Sequence, residues 1–195
     1  MKNLLITIFL VYTATNYSQN EISWSKEYQL QQSDFQSPST QIGNTNIINL
    51  MTSSGFDFAI SMSNFEFMFT KNFNSKVTNA FKRESAAIVA PDKETAVFLI
   101  GFAQYQFDLA ELYARKLRKK LNEDKKTFSN ISFFKPIYDE IQNEYSQKIT
   151  SASKETEMGK NVDKLEKLQK QVIADIEELA TYCKECKILK KKNIQ

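Results

Sequence analysis

Pro91 divides two hydrophobic rhythms, and that division constrains the fold more than any other feature of the chain. On its N-terminal side apolar side chains fall on alternate positions, the period of a strand with one buried face. Ile22 and Trp24 flank a serine, residues 56–62 alternate through Phe56, Phe58, Ile60 and Met62, and Phe65, Phe67 and Phe69 repeat the pattern. Residues 33–45, rich in Ser, Gln, Thr and Asn with Pro38 and Gly43, read as a loop, and Ser53-Ser54-Gly55 as a turn into the Phe56 strand. Beyond Pro91, Phe98, Phe102, Tyr105, Leu109 and Leu112 recur at helical spacing, and Asp92 with Thr95 offers an N-cap, which predicts a helix over 94–121. Lys119, Lys120, Lys125 and Lys126 flank its end, where cations suit the helix dipole. A second helix is expected over 136–149 on Ile137, Ile141 and Tyr145, a polar loop over 151–159, and a third helix over 162–186 on Leu165, Leu168, Val172, Ile176 and Leu179. Strands followed by helices predict an α+β domain: a small N-terminal sheet packed on the 94–121 helix, with two C-terminal helices.

Residues 1–18 read as an export signal, with Lys2 ahead of an apolar run from Leu4 to Tyr12 and a polar exit at Asn16-Tyr17-Ser18-Gln19. The run is too short to span a bilayer, and no cysteine follows it to accept a lipid. The expectation is a secreted or periplasmic protein whose residues 19–195 form one domain with a basic tail. Fifteen phenylalanines in 195 residues argue for a packed core rather than disorder. A formal charge of +3 is too small to imply nucleic acid. Lys187, Lys190, Lys191 and Lys192 form a basic end that is either a solvated tail or a weak contact for an anionic surface.

The chain contains no histidine, which removes the commonest metal ligand and general base. Its two cysteines, Cys183 and Cys186, are too few for a zinc ribbon and stand at a helix end rather than at a helix start after a strand. In an exported protein the pair suits a local disulfide closing the last helix; intermolecular pairing and a reduced dithiol stay open. Asp108 and Glu111, three residues apart, share a helix face and would serve either as paired carboxylates or, through Glu111 and Arg115, in a helix salt bridge.

The run Phe107-Asp108-Leu109-Ala110-Glu111-Leu112-Tyr113-Ala114-Arg115-Lys116-Leu117, preceded by Leu99 and Gln104, resembles a bacterial family of predicted secreted zinc-dependent proteases with a Leu-Leu-x-His-Glu-Gln-x-His-Phe-Asp helix. Upstream, Ile22-x-Trp24, Leu30 and Asp34-Phe35-Gln36-Ser37-Pro38 are similar to that family's opening strand and Asp-Phe-x-Gly loop, with Ser37 in place of glycine and Gln32 where tryptophan is common. Ser85-Ala86-Ala87 stands for a Ser-Trp-Val segment, and Glu155-Thr156-Glu157-Met158-Gly159 resembles Glu-Thr-x-His-Gly, whose histidine would be a third ligand.

The resemblance implies a zincin-like fold in which Phe102, Ala103 and Gln106 occupy the positions of the two helix ligands and the general base, and Met158 that of the third ligand. A phenyl ring offers no lone pair, an amide is a weak ligand and alanine carries no carboxylate. No metal or other cofactor is therefore expected. The former site is expected to be filled, with Phe102 and Gln106 on one helix face, Met158 against the ring, and Asp108 and Glu111 as remnants that once oriented ligands. The reading is an exported non-catalytic homologue that binds a peptide, a protein or an envelope component. An active hydrolase using Asp108 and Glu111 or another site, and a purely structural envelope protein, are the alternatives.

Overall fold

The computed structural model describes residues 20–58, 63–70, 72–125 and 133–187. The export segment 1–18, the far half of the alternating run 56–62, and Lys190, Lys191 and Lys192 lie outside the described residues.

The strand and helix halves form an α+β fold. The N-terminal half builds two three-stranded sheets, where the sequence predicts one. In the first, β5 (Val77–Lys82) lies between β1 (Glu21–Ser23) and β4 (Gly55–Phe58), both antiparallel to it, with Ile22 opposite Phe81 and Phe56 opposite Asn79. In the second, β6 (Ala87–Ala90) lies between β2 (Gln41–Ile42), which runs parallel to it, and the antiparallel β3 (Asn49–Met51). The 33–45 loop is thus broken by a short strand. A 3-10 turn over Arg83–Ser85 separates β5 from β6 and carries the chain between the sheets.

One more expectation for this half changes. Phe65, Phe67 and Phe69 belong to a helix, α1 (Asn64–Phe69), not a strand. Ser63 caps it by accepting from the Glu66 N–H at 3.1 Å, and only Phe67 turns inward, its ring centroid 5.5 Å from that of Phe73. Five residues of this composition satisfy either period, so the cap decides.

The long helix α2 (Lys93–Asp124) starts as predicted, with the Asp92 side chain accepting from the Thr95 N–H at 2.7 Å. It then runs through the middle of the molecule. Every residue from Phe102 to Arg115 is buried, a pattern that marks a core helix rather than a surface one. One hydrophobic cluster joins Leu30, Phe35, Phe81, Ile88, Leu99, Ala103 and Phe107 on the side of the sheets. The other joins Phe102, Tyr105, Leu109, Leu112 and Leu117 to α3 (Phe134–Thr156), α4 (Val162–Glu178) and the aromatic residues of β4 and α1.

The predicted loop over 151–159 is corrected as well. Helix α3 continues to Thr156 because Ala152 and Thr156, four residues apart, are both buried, and the Thr156 hydroxyl donates to the Ala152 carbonyl at 2.7 Å. The turn that follows holds Glu157, Met158 and Gly159 at φ of 51°, 56° and 96°. The third helix stops at Glu178, earlier than predicted, and a 3-10 turn over Ala180–Tyr182 leads to the cysteines. Among the described residues no helix is long and apolar enough to cross a membrane.

Candidate functional site

The residues singled out on α2 lie along its most buried stretch, and each is engaged by another part of the fold. Phe102 is buried and stacks on Tyr105, with ring centroids 6.0 Å apart and 20° between planes. Ala103 faces the opposite cluster beside Leu99 and Phe107. The Gln106 amide oxygen accepts from the Thr52 hydroxyl on the segment between β3 and β4. Gln104, part of the same motif, accepts from the Leu30 N–H at 2.8 Å and donates to Asp108 at 3.0 Å.

Met158 is brought to α2, though not onto the Phe102 ring as expected: it packs with the Ala103 cluster. The residue seated on Phe102 is Gly159. A Cβ built there would lie 2.3 Å from the Phe98 carbonyl oxygen and 3.2 Å from the Phe102 Cβ. The turn is tied to the end of α3 by the Met158 N–H donating to the Ser153 carbonyl at 2.9 Å and the Asn161 N–H donating to that of Thr156 at 2.9 Å.

Asp108 and Glu111 do not share a cleft. Asp108 accepts from the Trp24 indole N–H at 2.6 Å, from Gln104 and from the Gln169 amide on α4, so one carboxylate ties the opening strand, α2 and α4 together. Burial pushes its carboxyl above the usual range, against the three donors that hold it down. Glu111 takes a different set. Its Oε1 accepts from Arg115 Nε at 2.9 Å and from Arg118 Nη1 at 2.8 Å. The Glu111–Arg115 salt bridge anticipated at i, i+4 is present but buried, where an isolated charge would be costly and pairing is obligatory.

Arg118 is fully buried and was not singled out by sequence. It donates to the Val77 carbonyl from both Nε and Nη2, and to the Tyr182 carbonyl from Nη1 at 3.0 Å, which fastens the start of β5 and the chain after α4 to one guanidinium. Arg115 donates to the Ile176 carbonyl at 2.9 Å and lies 5.3 Å from the Trp24 ring centroid. The spacing Glu111-x-x-x-Arg115-x-x-Arg118 is the signal that could have drawn attention to this group, because all three fall on one helix face.

Cys183 and Cys186 form a disulfide, with Cα atoms 5.1 Å apart. It closes a turn beyond the last helix rather than the helix itself, since α4 has already ended at Glu178. Asn72 and Asn74 donate to the Cys186 carbonyl at 3.0 and 2.9 Å and anchor that turn. Between the disulfide turn, Trp24 and the buried arginines lies a cavity of about 300 Å³, whose lining includes Asn79 and Glu111. Lys187, the one described residue of the basic tail, is exposed.

Zinc does not fit the donor set on α2. Phe102 and Ala103 supply no ligand atom, and the one amide oxygen of Gln106 already accepts a hydrogen bond. Among the described residues no three His, Cys, Asp or Glu side chains converge as a metal site. Compared with family models, with curated proteins and with solved structures, the chain finds no match in any of the three.

Proposed function

We propose that the protein is an exported, non-catalytic relative of the zinc-dependent protease-like family, with a zincin-like core, that acts by binding a peptide or protein segment. The observation that carries this reading is the packing of the positions that would hold the metal and its base. Phe102, Ala103 and Gln106 are all buried against protein, in two different clusters and one hydrogen bond, so neither ligand nor water-activating group is offered there. Two further features support it. The segments that carry the resemblance touch one another: Trp24 bonds to Asp108, Leu30 to Gln104, and the 157–159 turn seats on Phe98 and Phe102. The two acids named for another hydrolytic mechanism take part in holding the fold, Asp108 through three N–H groups and Glu111, at Oε1, through two guanidinium groups.

The test is metal content of the purified chain by mass spectrometry, before and after incubation with zinc and dialysis, together with cleavage of an unstructured protein substrate. The expected result is substoichiometric zinc and no metal-dependent cleavage. One tightly held zinc per chain, or cleavage abolished by a chelator, would overturn the reading.

A further inference from the structure

The cavity beside the disulfide turn contains polar groups that the fold leaves unused. Asn79, which lines it from the central strand β5, is not one of them: its Nδ2 donates to the Phe107 carbonyl at 3.1 Å, and its unpartnered Oδ1 has no exposed surface for a ligand to reach. Glu111 directs both of its bonds through Oε1, and Oε2 accepts from no described residue. Arg115 uses Nε and Nη1, while Nη2 donates to no described residue. The nearby carboxylate of Asp108 accepts from neither arginine, and on the disulfide turn Lys184 and Glu185 offset each other in charge.

We propose that this cavity binds the C-terminal end of a short peptide, with the terminal carboxylate on Arg115 and the adjoining amide N–H on Glu111 Oε2. A guanidinium with an unused Nη2 matches a carboxylate, and the unused Glu111 Oε2 beside it calls for an N–H donor, which a bare anion lacks. About 300 Å³ accommodates one or two residues at the small end of ligand pockets. The half-buried Trp24 ring, already beside the Arg115 guanidinium, supplies an apolar wall. The rim residues Ser23 and Glu185 are exposed, so a chain end can enter without opening the core. The assignment rests on the binding-protein reading above only for the choice of a peptide. Zinc content reads positions 102–106, whereas the experiment below reads the cavity, so either can fail alone.

Trp24 is the chain's one tryptophan, so its fluorescence reports on this cavity without labelling. The native protein is titrated with N-acetyl-alanyl-alanine, with the same dipeptide as its C-terminal amide, and with acetate. The expected result is a saturable change with the acid at a dissociation constant of about 1 mM or tighter. The amide and acetate are expected to bind at least about tenfold more weakly, since each lacks one half of the recognition. N-acetyl-alanine, run in parallel, separates a small acylated amino acid from the end of a longer chain, and saturation by either supports the shared chemistry. Arg115→Met, which keeps the Glu111–Arg118 pair, should lower affinity for the acid by at least about tenfold. Should that variant fail to fold by circular dichroism, the comparison of acid with amide on the native chain decides alone. No saturable change with the acid, or equal affinity for acid and amide or for acid and acetate, overturns the proposal.

Discussion

Replacing Gly159 with alanine tests how the 157–159 turn meets the central helix. Gly159 has φ of 96°, in the region that L residues avoid, at a cost of about 1–2 kcal/mol for a residue with a Cβ. The added methyl would also stand 2.3 Å from the Phe98 carbonyl oxygen and 3.1 Å from its carbon. Both are backbone atoms inside α2 and cannot swing away, so the turn must lift, with an overpacking cost of about 1–3 kcal/mol. The sum is about 2–5 kcal/mol, and for a domain of this size a loss of 3 kcal/mol lowers Tm by roughly 10 °C. Gly43→Ala supplies the control. Gly43 has φ of 90° but nothing within 4 Å of a built Cβ, so it should show the conformational cost alone, about 1–2 kcal/mol. Thermal melts and urea titrations of both variants, with m-values unchanged, give the two numbers. Equal losses in the two variants would refute the reasoning, because they would mean that the turn does not rest on Phe98 and Phe102.

Two other perturbations separate structural roles. Tyr105→Phe should raise stability by about 1 kcal/mol in urea titration, since the Tyr105 hydroxyl is fully buried, with no hydrogen-bond partner among the described residues, and burial pushes its pKa up; a loss instead would reveal a bond to that hydroxyl. Reducing Cys183–Cys186 opens a loop of only four residues, for which chain entropy gives about 2 kcal/mol; hydrogen exchange should show lost protection confined to 180–187 while α2 keeps its own, and exposure spreading into α2 would contradict that limit.

Periodicity and caps made much of the architecture readable. Asp92 and Thr95 cap α2 because a short acid ahead of a helical run satisfies a free N–H wherever the run later packs. The chemistry of a single short segment gave less. Phe65–Phe69 has the same letters for a strand and for one helical face, and the deciding residue, Ser63, lies outside the apolar run. Residues 151–156 look like a loop by polarity, yet burying Ala152 and Thr156 one turn apart is enough to hold the helix. In the second case the missing information was burial against the rest of the fold, not a local preference.

The polar row on α2 was the least readable part, for a physical reason. A helix with Gln104, Gln106, Asp108, Glu111, Arg115 and Arg118 along it looks solvated, because burying such groups is costly unless every one finds a partner. Here the partners arrive from segments distant in sequence: Trp24 and Gln169 for Asp108, Thr52 for Gln106, and the Val77 and Tyr182 carbonyls for Arg118. Each bond spans at least 41 residues, so no local pattern announces it. The same bonds, made to segments before and after it in the chain, hold α2 in its place. Asp108 and the two arginines between them reach Trp24, α4 and β5, so this polar row fixes α2 in one place within the core.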